Sequence, residues 1–545
     1  MDFTFRDALT ARLLDATPDL LATQDPHTGR FGEGIWIVTD QNVLFPMAAA
    51  WATPGAHYHY PDLLAAIVRG GDALIDDQDE RGMWEFRKKD GSTWGPIFMP
   101  WTYSRWLRAF GIIREAMSED ARRRWEDALL LGYEGIADTA LGRIHNIPAH
   151  HAMGLYHAGQ LFDNAAWRDQ ARDFLMRVCE DQHADGYWSE HVGPVVACNF
   201  VYAEALGVYH AQSGDCDVLP TLERAASFRA EFVYPDGSRI ETIDERNPYH
   251  AGAVEGNVGF SFCASGREFL RHQWQHVARI TPDTAASFLL YGREGSLPAS
   301  SDDASRRQAI LGRDDAVVRR EGPWFVCLSA FVSPLTENRW VQDRQNFVSI
   351  YHDRLGLVLG GGNTKLQPRW SNFTAGEMGL LAHEAGDTNP AFAPPPGLVH
   401  VPSQIALDAG SLSLELDYGT ARTRLTVEIL DDARVCLRYD VLERDAADVW
   451  AHLTFLPTFG SAAETAAGPL GDLSEEPFAV GDCGGWIAHG GWRLSTPHGA
   501  EARWPVAPHN PYRKDGHAEV SEGRLVVSLP FSAENAVHRC VLEAL

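Results

Sequence analysis

The chain has 545 residues, of which 45% are hydrophobic and 22% are charged, so it is long enough for two or three globular domains. Its formal net charge of −27 at pH 7, with no stretch dense in Lys and Arg, argues against nucleic acid as a partner. A strongly anionic polymer would be repelled at long range, so an acidic substrate requires a local basic patch.

The sequence shows no sign of membrane insertion or export. No apolar run is long enough to span a bilayer, and the N-terminal segment lacks the basic start and apolar core of a signal peptide. The eight cysteines are scattered without a CxxC spacing, which is typical of free thiols in a reducing compartment. We therefore expect a cytoplasmic protein that does not bind membranes, although a secreted protein trimmed of its signal would share this pattern.

The first half of the chain has the period of α-helices. Apolar residues recur at helical spacing in six segments, which are 61–75, 103–117, 122–137, 149–162, 165–179 and 199–212. The connections between them are short and rich in Gly, Asp and Pro, as expected for helical hairpins.

A repeated motif accompanies these helices. The pattern D-Q-x-x-x-G-x-W occurs at 77–84 and again at 181–188, an offset of 104 residues, and a weaker copy lies at 234–238. A helical-hairpin unit of roughly 50 residues would explain both spacings. Such units arranged in a ring form an α/α toroid, whose inner helices present their ends to a central cleft. Chance similarity of short turns is the alternative.

The helical period is lost after residue 288, and residues 294–303 have the composition of a linker. Short β-rich runs come next, separated by Gly, Asp and Asn: 324–331, 346–351, 355–359, 411–416, 423–429, 435–441, 450–456 and 524–529. The sequence thus predicts an α+β multidomain protein. Its parts are an N-terminal α/α toroid catalytic domain (1–293), a linker (294–310) and a C-terminal antiparallel β-sandwich (311–545).

Three stretches of the first half, 145–151, 185–191 and 241–250, are dense in side chains that move protons or bind carboxylates. In the second, an Asp-Gly turn precedes an acid, a histidine and a helix that carries Tyr202. We expect the three stretches to converge on one cleft. The candidate residues are Asn146, His150, Glu190, His191, Tyr202, Arg246, Tyr249 and His250.

The order of these residues resembles the toroid-plus-sandwich polysaccharide lyases, the hyaluronate/chondroitin AC and heparinase II/III-like groups. In the hyaluronate type, a histidine follows a D-G-aromatic turn and a tyrosine lies on the next helix, as His191 and Tyr202 do here. Asn146 upstream and Arg246 downstream also keep the family's order. In the heparinase-like type the histidine follows the asparagine closely, and His150 or the adjacent His151 would fill that place.

The resemblance implies cleavage of uronic-acid-containing chains by β-elimination, with no metal or organic cofactor. The C5 proton of a uronate is barely acidic while the neighbouring carboxylate is charged. Hydrogen bonds from Asn146, with positive charge from Arg246 or a histidine, would stabilise the species formed on deprotonation. Tyr202 would take the C5 proton and return a proton to the leaving O4.

Two further segments carry candidate substrate-binding residues. The aromatic-rich loop 94–103 contains Trp94, Trp101 and Tyr103, whose rings suit either sugar subsites or core packing. A glycine-rich loop, 360–370, is expected to reach over the cleft and supply positive charge, and a tight sheet bend is the alternative. Its candidate residues are Asn363, Lys365, Arg369 and Trp370. In the β half, His352, Asp353 and His383 give no tidy ligand set, so no metal is predicted.

Each candidate also has a structural explanation. Tyr202 is compatible with a core position, Asn146 with a helix cap, and Arg246 with an ion pair to a neighbouring acid. Two other functions stay open: a glycoside hydrolase that pairs Glu190 with Asp244 or Glu241, and a noncatalytic carbohydrate-binding protein. The sequence favours a lyase acting on an acidic poly- or oligosaccharide, and leaves the uronate, the linkage and the oligomeric state open.

Overall fold

The computed structural model describes residues 2–34, 37–88, 91–190, 192–244, 251–298, 306–380, 387–393, 396–445 and 448–545. The chain divides into two compact units. The helical unit contains Met1–Trp188, Ala197–Ala230 and Val254–Ala299. The sheet unit contains Ser189–Val196, Glu231–Ala253 and Ser300–Leu545. Two segments of the first half thus belong with the sheets, and the domain boundaries expected from the sequence stay a prediction.

Twelve α-helices occur in the described part of the chain: α1 (Arg6–Ala22), α2 (Ile37–Asp40), α3 (Leu44–Ala52), α4 (Pro61–Asp77), α5 (Pro100–Ile113), α6 (Glu119–Thr139), α7 (Asn146–Leu161), α8 (Ala165–Glu180), α9 (Val196–Ser213), α10 (Leu219–Glu231), α11 (Ala264–His276) and α12 (Pro282–Tyr291). All six helical segments predicted from the sequence are confirmed.

The helix starts follow local chemistry. Proline occupies the first turn of α4, α5 and α12, where its missing N–H costs no hydrogen bond. Side chains of Ser118 and Asn164 cap α6 and α8 by accepting hydrogen bonds from Ala121 N–H (3.3 Å) and Trp167 N–H (3.2 Å). These local signals explain why the helical half can be predicted from the sequence.

Helices α5 and α7 run side by side in the same direction. Ser104 Oγ lies 2.9 Å from His150 Nε2 near their starts, and the Arg114 guanidinium donates to Leu161 O (3.4 Å) near their ends. The intervening helix α6 therefore makes the return. Two inner helices separated by an outer one are the hairpin arrangement of a toroid.

Helix α9 continues this arrangement, parallel to α7. The rings of Tyr156 and Tyr209 lie 4.8 Å apart, and Gln160 Nε2 donates to Gln212 O (3.1 Å). The inner helices α5, α7 and α9 begin about 50 residues apart, at positions 100, 146 and 196. This spacing agrees with the hairpin unit inferred from the repeated motif.

Twenty-six β-strands occur in the described part of the chain: β1 (Asp2–Phe3), β2 (Trp84–Arg87), β3 (Thr93–Ile97), β4 (Ser238–Arg239), β5 (Ala251–Ala253), β6 (Gly295–Ser296), β7 (Arg306–Leu311), β8 (Ala316–Glu321), β9 (Trp324–Ser329), β10 (Val348–His352), β11 (Gly356–Leu359), β12 (Phe373–Gly376), β13 (Leu398–Val399), β14 (Gln404–Asp408), β15 (Ser413–Asp417), β16 (Ala421–Asp431), β17 (Arg434–Arg444), β18 (Val449–Phe455), β19 (Ala462–Thr465), β20 (Gly468–Asp472), β21 (Phe478–Val480), β22 (Trp486–His489), β23 (Trp492–Ser495), β24 (Glu501–Val506), β25 (Arg524–Pro530) and β26 (Val537–Ala544).

Two large antiparallel sheets form the sheet unit. One has 11 strands, with the order β21-β24-β25-β18-β11-β10-β9-β8-β7, with β12 paired to β18 and β13 paired to β12. The other has 9 strands, with the order β14-β15-β16-β17-β26-β23-β22-β19-β20. One buried cluster takes residues from both, such as Val326 and Leu453 from the first sheet and Leu425 and Leu542 from the second. This shared core makes the unit a β-sandwich.

The fold class expected from the sequence is confirmed: a helical toroid precedes an antiparallel β-sandwich. The eight predicted β-rich runs all contain strands. The elements missed include the strands β7, β8, β24 and β26 of the sandwich, and the hairpin β2–β3, which occupies part of the segment interpreted as an aromatic loop. In the described residues, none of the helices combines the length and apolar character needed to cross a membrane. None of the eight cysteines, all of which lie in the described ranges, forms a disulfide bond.

Candidate active site

The repeated motif folds into the same turn in each copy. Asp79 N–H donates to Met83 O (2.9 Å) in the first, and His183 N–H donates to Tyr187 O (2.8 Å) in the second. The glycine of each copy has a left-handed backbone, with φ of 84° at Gly82 and 91° at Gly186, which only glycine adopts readily. The weaker third copy also forms this turn, because Tyr234 N–H donates to Ser238 O (3.0 Å).

The tryptophan and the glutamine of the motif make equivalent contacts in both copies. Trp84 Nε1 donates to the carbonyl ten residues before it (3.0 Å), and Trp188 Nε1 does the same (2.8 Å). Gln78 Nε2 donates to Ala128 O (3.2 Å), and Gln182 Nε2 donates to Thr221 O (3.0 Å), each on a later helix. The repeat is therefore structural, and chance similarity is excluded.

The first predicted stretch lies where α7 begins. The His150 ring is buried, contacts Ser104 Oγ, and meets the Trp101 ring edge-on with centroids 4.5 Å apart. Trp101 and His150 come from segments about 50 residues apart, yet the parallel packing of α5 and α7 brings them together. Asn146 is half-buried one turn earlier, at the first position of α7, where its Oδ1 accepts from Ile147 N–H (2.7 Å) and lies 3.0 Å from His145 Nδ1. The N-cap position belongs to His145, so Asn146 is not the helix cap suggested as its structural explanation.

The histidines of α7 are held neutral. Burial, and secondarily the charges of Arg105 and Arg108, lower the pKa of His150 well below its usual value. Burial lowers the pKa of the neighbouring His151 to about 4, although a hydrogen bond with the backbone of Phe98 opposes this. At neutral pH these rings can accept or donate one hydrogen bond, but they bring no positive charge to a carboxylate.

Tyr202 lies deep in the helical unit. Its ring stacks on Trp188 of the second turn, with centroids 4.8 Å apart and planes 13° apart, and the residue is 2% exposed. Asn199 fixes the start of α9 to the same turn, donating to Trp188 O (2.8 Å) and accepting from Trp188 N–H (2.7 Å). The register of α7 against α9 places Tyr202 at the level of His150, so these two predicted residues share one end of the toroid.

Two arginine–carboxylate ion pairs next to these residues were not predicted from the sequence. Arg105 Nε and Nη2 bind the Asp283 carboxylate (2.8 and 2.6 Å), and Arg108 lies 3.7 Å from Glu204. Both arginines are on the face of α5 that carries Ser104. The spacing of two arginines three residues apart, after an aromatic-rich loop, was the available signal. Asp283 is 178 residues away, so this pairing could not be predicted from the sequence.

The other two predicted stretches meet within the sheet unit. Val196 N–H donates to Asp244 Oδ2 (2.9 Å), and the buried Arg344 donates to Val192 O (2.9 Å) and to Ile243 O (3.3 Å). Glu190 lies beside this junction in sequence and is half-buried. The candidates His191, Arg246, Tyr249 and His250 lie outside the described residues.

Two of the carboxylates suggested for a hydrolase are buried and make structural hydrogen bonds. Glu241 is completely buried, and its carboxylate accepts hydrogen bonds from the Tyr234 hydroxyl (3.1 Å) and from Gly361 N–H (2.8 Å). Asp244 is also buried and accepts from the Val196 backbone. Because a catalytic carboxylate must reach the glycosidic bond, these contacts weigh against the hydrolase alternative.

The glycine-rich loop is a tight bend around buried polar groups. Gly360, Gly361 and Gly362 all have left-handed φ values, of 123°, 102° and 91°. A Cβ at Gly360 would lie 2.8 Å from Ser349 Cβ and 2.9 Å from the Glu241 carboxylate. Glycine is therefore required for close approach at this bend, which favours the structural alternative for the loop.

The polar residues of this loop differ in exposure. Lys365 is 0% exposed, and its ammonium binds Asp343 Oδ1 (2.7 Å) and Thr336 O (2.6 Å). Asn363 and Trp370 are buried too, bonded to Asp244 O (3.2 Å) and Val506 O (3.0 Å). These contacts favour structural roles over direct binding of substrate. Arg369 is only half-buried.

The aromatic residues predicted to form sugar subsites also differ in exposure. Tyr103 is buried, and its hydroxyl donates to Gly82 O of the first turn, which favours core packing. Trp94 on the hairpin β2–β3 is 63% exposed, with its ring stacked on Phe86 at 4.8 Å and Lys88 Nζ 5.4 Å from its centroid. Trp94 is thus accessible to a ligand. The described residues contain no group of three His, Cys, Asp or Glu side chains placed to hold a metal ion.

Comparison with solved structures finds proteins that have the same architecture. No protein-family model matches the sequence, and a search of curated protein sequences gives no match. The structure is similar to a chondroitin AC lyase of Streptomyces coelicolor A3 (TM-score 0.56, 15% identity, 98% of this chain and 79% of that chain). It is also similar to a heparinase III (TM-score 0.57, 12% identity, 99% and 85%) and to a second heparinase III (TM-score 0.50, 14% identity, 99% and 84%). The fold is therefore the toroid-plus-sandwich fold of these polysaccharide lyases.

Proposed function

We propose that this protein is a polysaccharide or oligosaccharide lyase that cleaves a uronic-acid-containing glycan by β-elimination. The observation that carries the proposal is the parallel arrangement of α5, α7 and α9. It brings Trp101, His150 and Tyr202 to one end of the toroid. The fold shared with chondroitin AC lyase and heparinase III supports the same class of reaction.

The chemistry requires one proton to leave and one to return. A base removes the C5 proton of the uronate, the electrons form the C4=C5 double bond, and the C4–O4 bond breaks as O4 takes a proton. Asn146 would hydrogen-bond the uronate carboxylate, and Arg246 would supply positive charge that the neutral histidines lack.

A tyrosine hydroxyl is proposed as the proton shuttle. Tyr202 keeps its place as a candidate because it lies level with His150, but its burial and its stacking on Trp188 favour a packing role. Tyr249, on the segment 245–250, has the same hydroxyl chemistry and is the candidate that we favour for the shuttle. His150, held neutral and bonded to Ser104, suits the role of a hydrogen-bond partner to substrate or tyrosine.

The class of reaction is tested by ultraviolet absorbance. Elimination creates a C4=C5 double bond conjugated with the carboxylate, whereas hydrolysis releases reducing ends without that absorbance. We expect an absorbance increase with at least one member of a panel of alginate, glycosaminoglycans, ulvan, pectin and glucuronan. Reducing ends without absorbance would replace the lyase by a hydrolase. Binding without either product would make the protein a carbohydrate-binding one.

A further inference from the structure

The sheet unit contains a cavity of about 770 Å³ that the elimination chemistry does not use. Its volume falls in the range of small-molecule sites, roughly 300–1,000 Å³. The wall is formed by the end of the glycine-rich loop, by β24 with the residues after it, and by the start of the edge strand β21. All its lining residues belong to the sheet unit.

The wall of this cavity is fixed by hydrogen bonds. Gln367 Nε2 donates to Ala507 O (3.0 Å), and the Trp370 indole donates to Val506 O (3.0 Å). The Arg524 guanidinium packs over the buried Trp370 ring, 4.8 Å from its centroid. The loop segment that bears Arg369 is thus attached to β24 and its extension at two points, so the cavity is formed before any ligand arrives.

Two arginines line this preformed cavity. Arg369 Nη1 donates to Ser528 Oγ (3.2 Å), and Ser528 Oγ also contacts the buried His452 ring (2.9 Å). These two contacts fix the orientation of the Arg369 guanidinium. Arg503, on β24, is paired with Glu501 at 3.3 Å and is 44% exposed on its side chain. Burial lowers the pKa of Arg369 and the nearby charge of Arg503 lowers it further, while the carboxylate of Glu501 opposes both effects.

The charge of the cavity is opposite to that of the protein. The chain carries a formal net charge of −27, yet no aspartate or glutamate occurs among the described lining residues. The electrostatic repulsion between two guanidinium groups is reduced when an anion binds between them. Arginine binds carboxylates and phosphates with two parallel hydrogen bonds, and sulfate has the same tetrahedral oxyanion geometry as phosphate.

Much of the rest of the lining is apolar, and its other polar members are Lys365, Gln367, His509 and His517. Phe478 is half-buried at the start of β21, and Met378 and Pro505 line the cavity near it. An aromatic or apolar surface beside a pair of guanidiniums matches a sugar ring, whose C–H face packs on the apolar wall while its acidic group faces the arginines.

We propose that this cavity binds the acidic group of a saccharide, with Arg369 and Arg503 holding its carboxylate or sulfate. The choice of a saccharide rests on the proposed lyase function, whereas the cationic cavity itself does not. The site would hold an acidic sugar of the substrate or product and would supply the local basic patch that a protein of this charge requires.

The test measures binding to the full-length protein by calorimetry. The probes are D-glucuronate, a chondroitin tetrasaccharide, sodium sulfate and the neutral methyl β-D-glucoside. We expect the two acidic saccharides to bind, the glucoside not to bind, and Arg503→Gln and Arg369→Gln each to weaken binding of the tetrasaccharide about tenfold. Arg493→Gln is the matched control, because Arg493 is 48% exposed and paired with a glutamate on another part of the sandwich.

The outcomes separate this proposal from the proposed activity. Wild-type affinity in both cavity variants would overturn the site, as would equal loss in Arg493→Gln. If sulfate bound as tightly as glucuronate and competed with it, the cavity would be a site for inorganic anions, and its assignment to a saccharide would be wrong. Arg503 is exposed, so its variant tests the site even if Arg369→Gln unfolds in a thermal melt. Failure of elimination, by contrast, is detected only from the missing ultraviolet absorbance.

Discussion

The two copies of the repeated turn, 77–84 and 181–188, share their backbone but differ in how the next inner helix is attached to them. In each, a tyrosine from that helix meets the motif tryptophan with ring centroids 4.8 Å apart, Tyr103 on Trp84 and Tyr202 on Trp188. The hydroxyl of Tyr103 is bonded to the first turn itself, through Gly82 O. In the second copy, Asn199 makes the link between turn and helix.

A tyrosine against the motif tryptophan is therefore a property of the repeat. Its position does not mark Tyr202 as catalytic, although the order of residues along the chain suggests that role. The parts that distinguish the second copy are the ones to test for function: Asn199, the residues after Trp188, and the polar end of α7 at the same level.

The largest effect is expected from the tyrosines. Removal of the shuttle hydroxyl should lower kcat by roughly 10² to 10⁴, the span of general acid–base catalysis. Because Tyr202 packs like Tyr103, we expect Tyr249→Phe to show this loss and Tyr202→Phe to lose less than about tenfold. Steady-state absorbance assays of both variants measure the difference.

Tyr103→Phe is the matched control for these variants. It removes the equivalent hydroxyl from the first copy, so it should reduce thermal stability while leaving kcat close to that of the wild type. A large kcat loss in Tyr202→Phe alone, with Tyr103→Phe still active, would contradict the equivalence of the two tyrosines and restore Tyr202 as the shuttle.

The next effect concerns the pH dependence of stability, because the buried His151 of α7 has a lowered pKa. His151 hydrogen-bonds the backbone of Phe98, which follows the hairpin β2–β3. The pKa of His151 is about 4 in the folded state and about 6.5 in the unfolded chain. Below pH 6.5 the unfolded state binds the proton first, so stability falls as the pH drops from about 6.5 to about 4. This residue contributes about 3 kcal/mol to that loss.

Denaturant unfolding across this pH range checks the prediction with His151→Asn. The variant should lose about 3 kcal/mol less than the wild type on acidification, and the two proteins should show parallel curves above about pH 7. Identical slopes in the acidic range would mean that His151 is accessible to protons in the folded protein.

A smaller effect is expected at Asn199. Asn199→Ala leaves the buried N–H and C=O of Trp188 without their partner, at a cost of about 2 kcal/mol in the free energy of unfolding. Asn199→Asp keeps the acceptor for the Trp188 N–H and should recover part of that loss. If both variants were as stable as the wild type in urea titrations, Asn199 would not be what anchors the second turn.

The smallest effect is expected at Gly82, the glycine of the first copy of the repeat. Gly82→Ala forces an alanine into a left-handed conformation and should cost about 1 kcal/mol. Gly186→Ala should cost more, since its Cβ would lie 2.1 Å from Arg224 O, whereas the nearest atom at Gly82 is 2.8 Å away. Equal melting temperatures for the two variants would show that the second turn yields locally.

The elements and their order can be predicted from the sequence alone, because their signals are local. The helical period, the proline and side-chain caps and the repeated D-Q-x-x-x-G-x-W motif predict the toroid of hairpins. The loss of that period after residue 288 and the short β-rich runs are enough to predict the sandwich. Strand order and the pairing of β11 with β18 are not predictable in this way, because they join segments about 100 residues apart.

Which candidate side chains are accessible depends on the tertiary structure. Judged by residue type, Lys365 could bind an acidic substrate and Tyr202 could transfer a proton. In the folded chain Lys365 is buried and bonded to Asp343, and Tyr202 lies in the core of the helical unit. The pairing of Arg105 with Asp283 and the cavity between Arg369 and Arg503 depend on contacts over more than 100 residues. Exposure and charge pairing are set by such contacts, and no local pattern of residues encodes them.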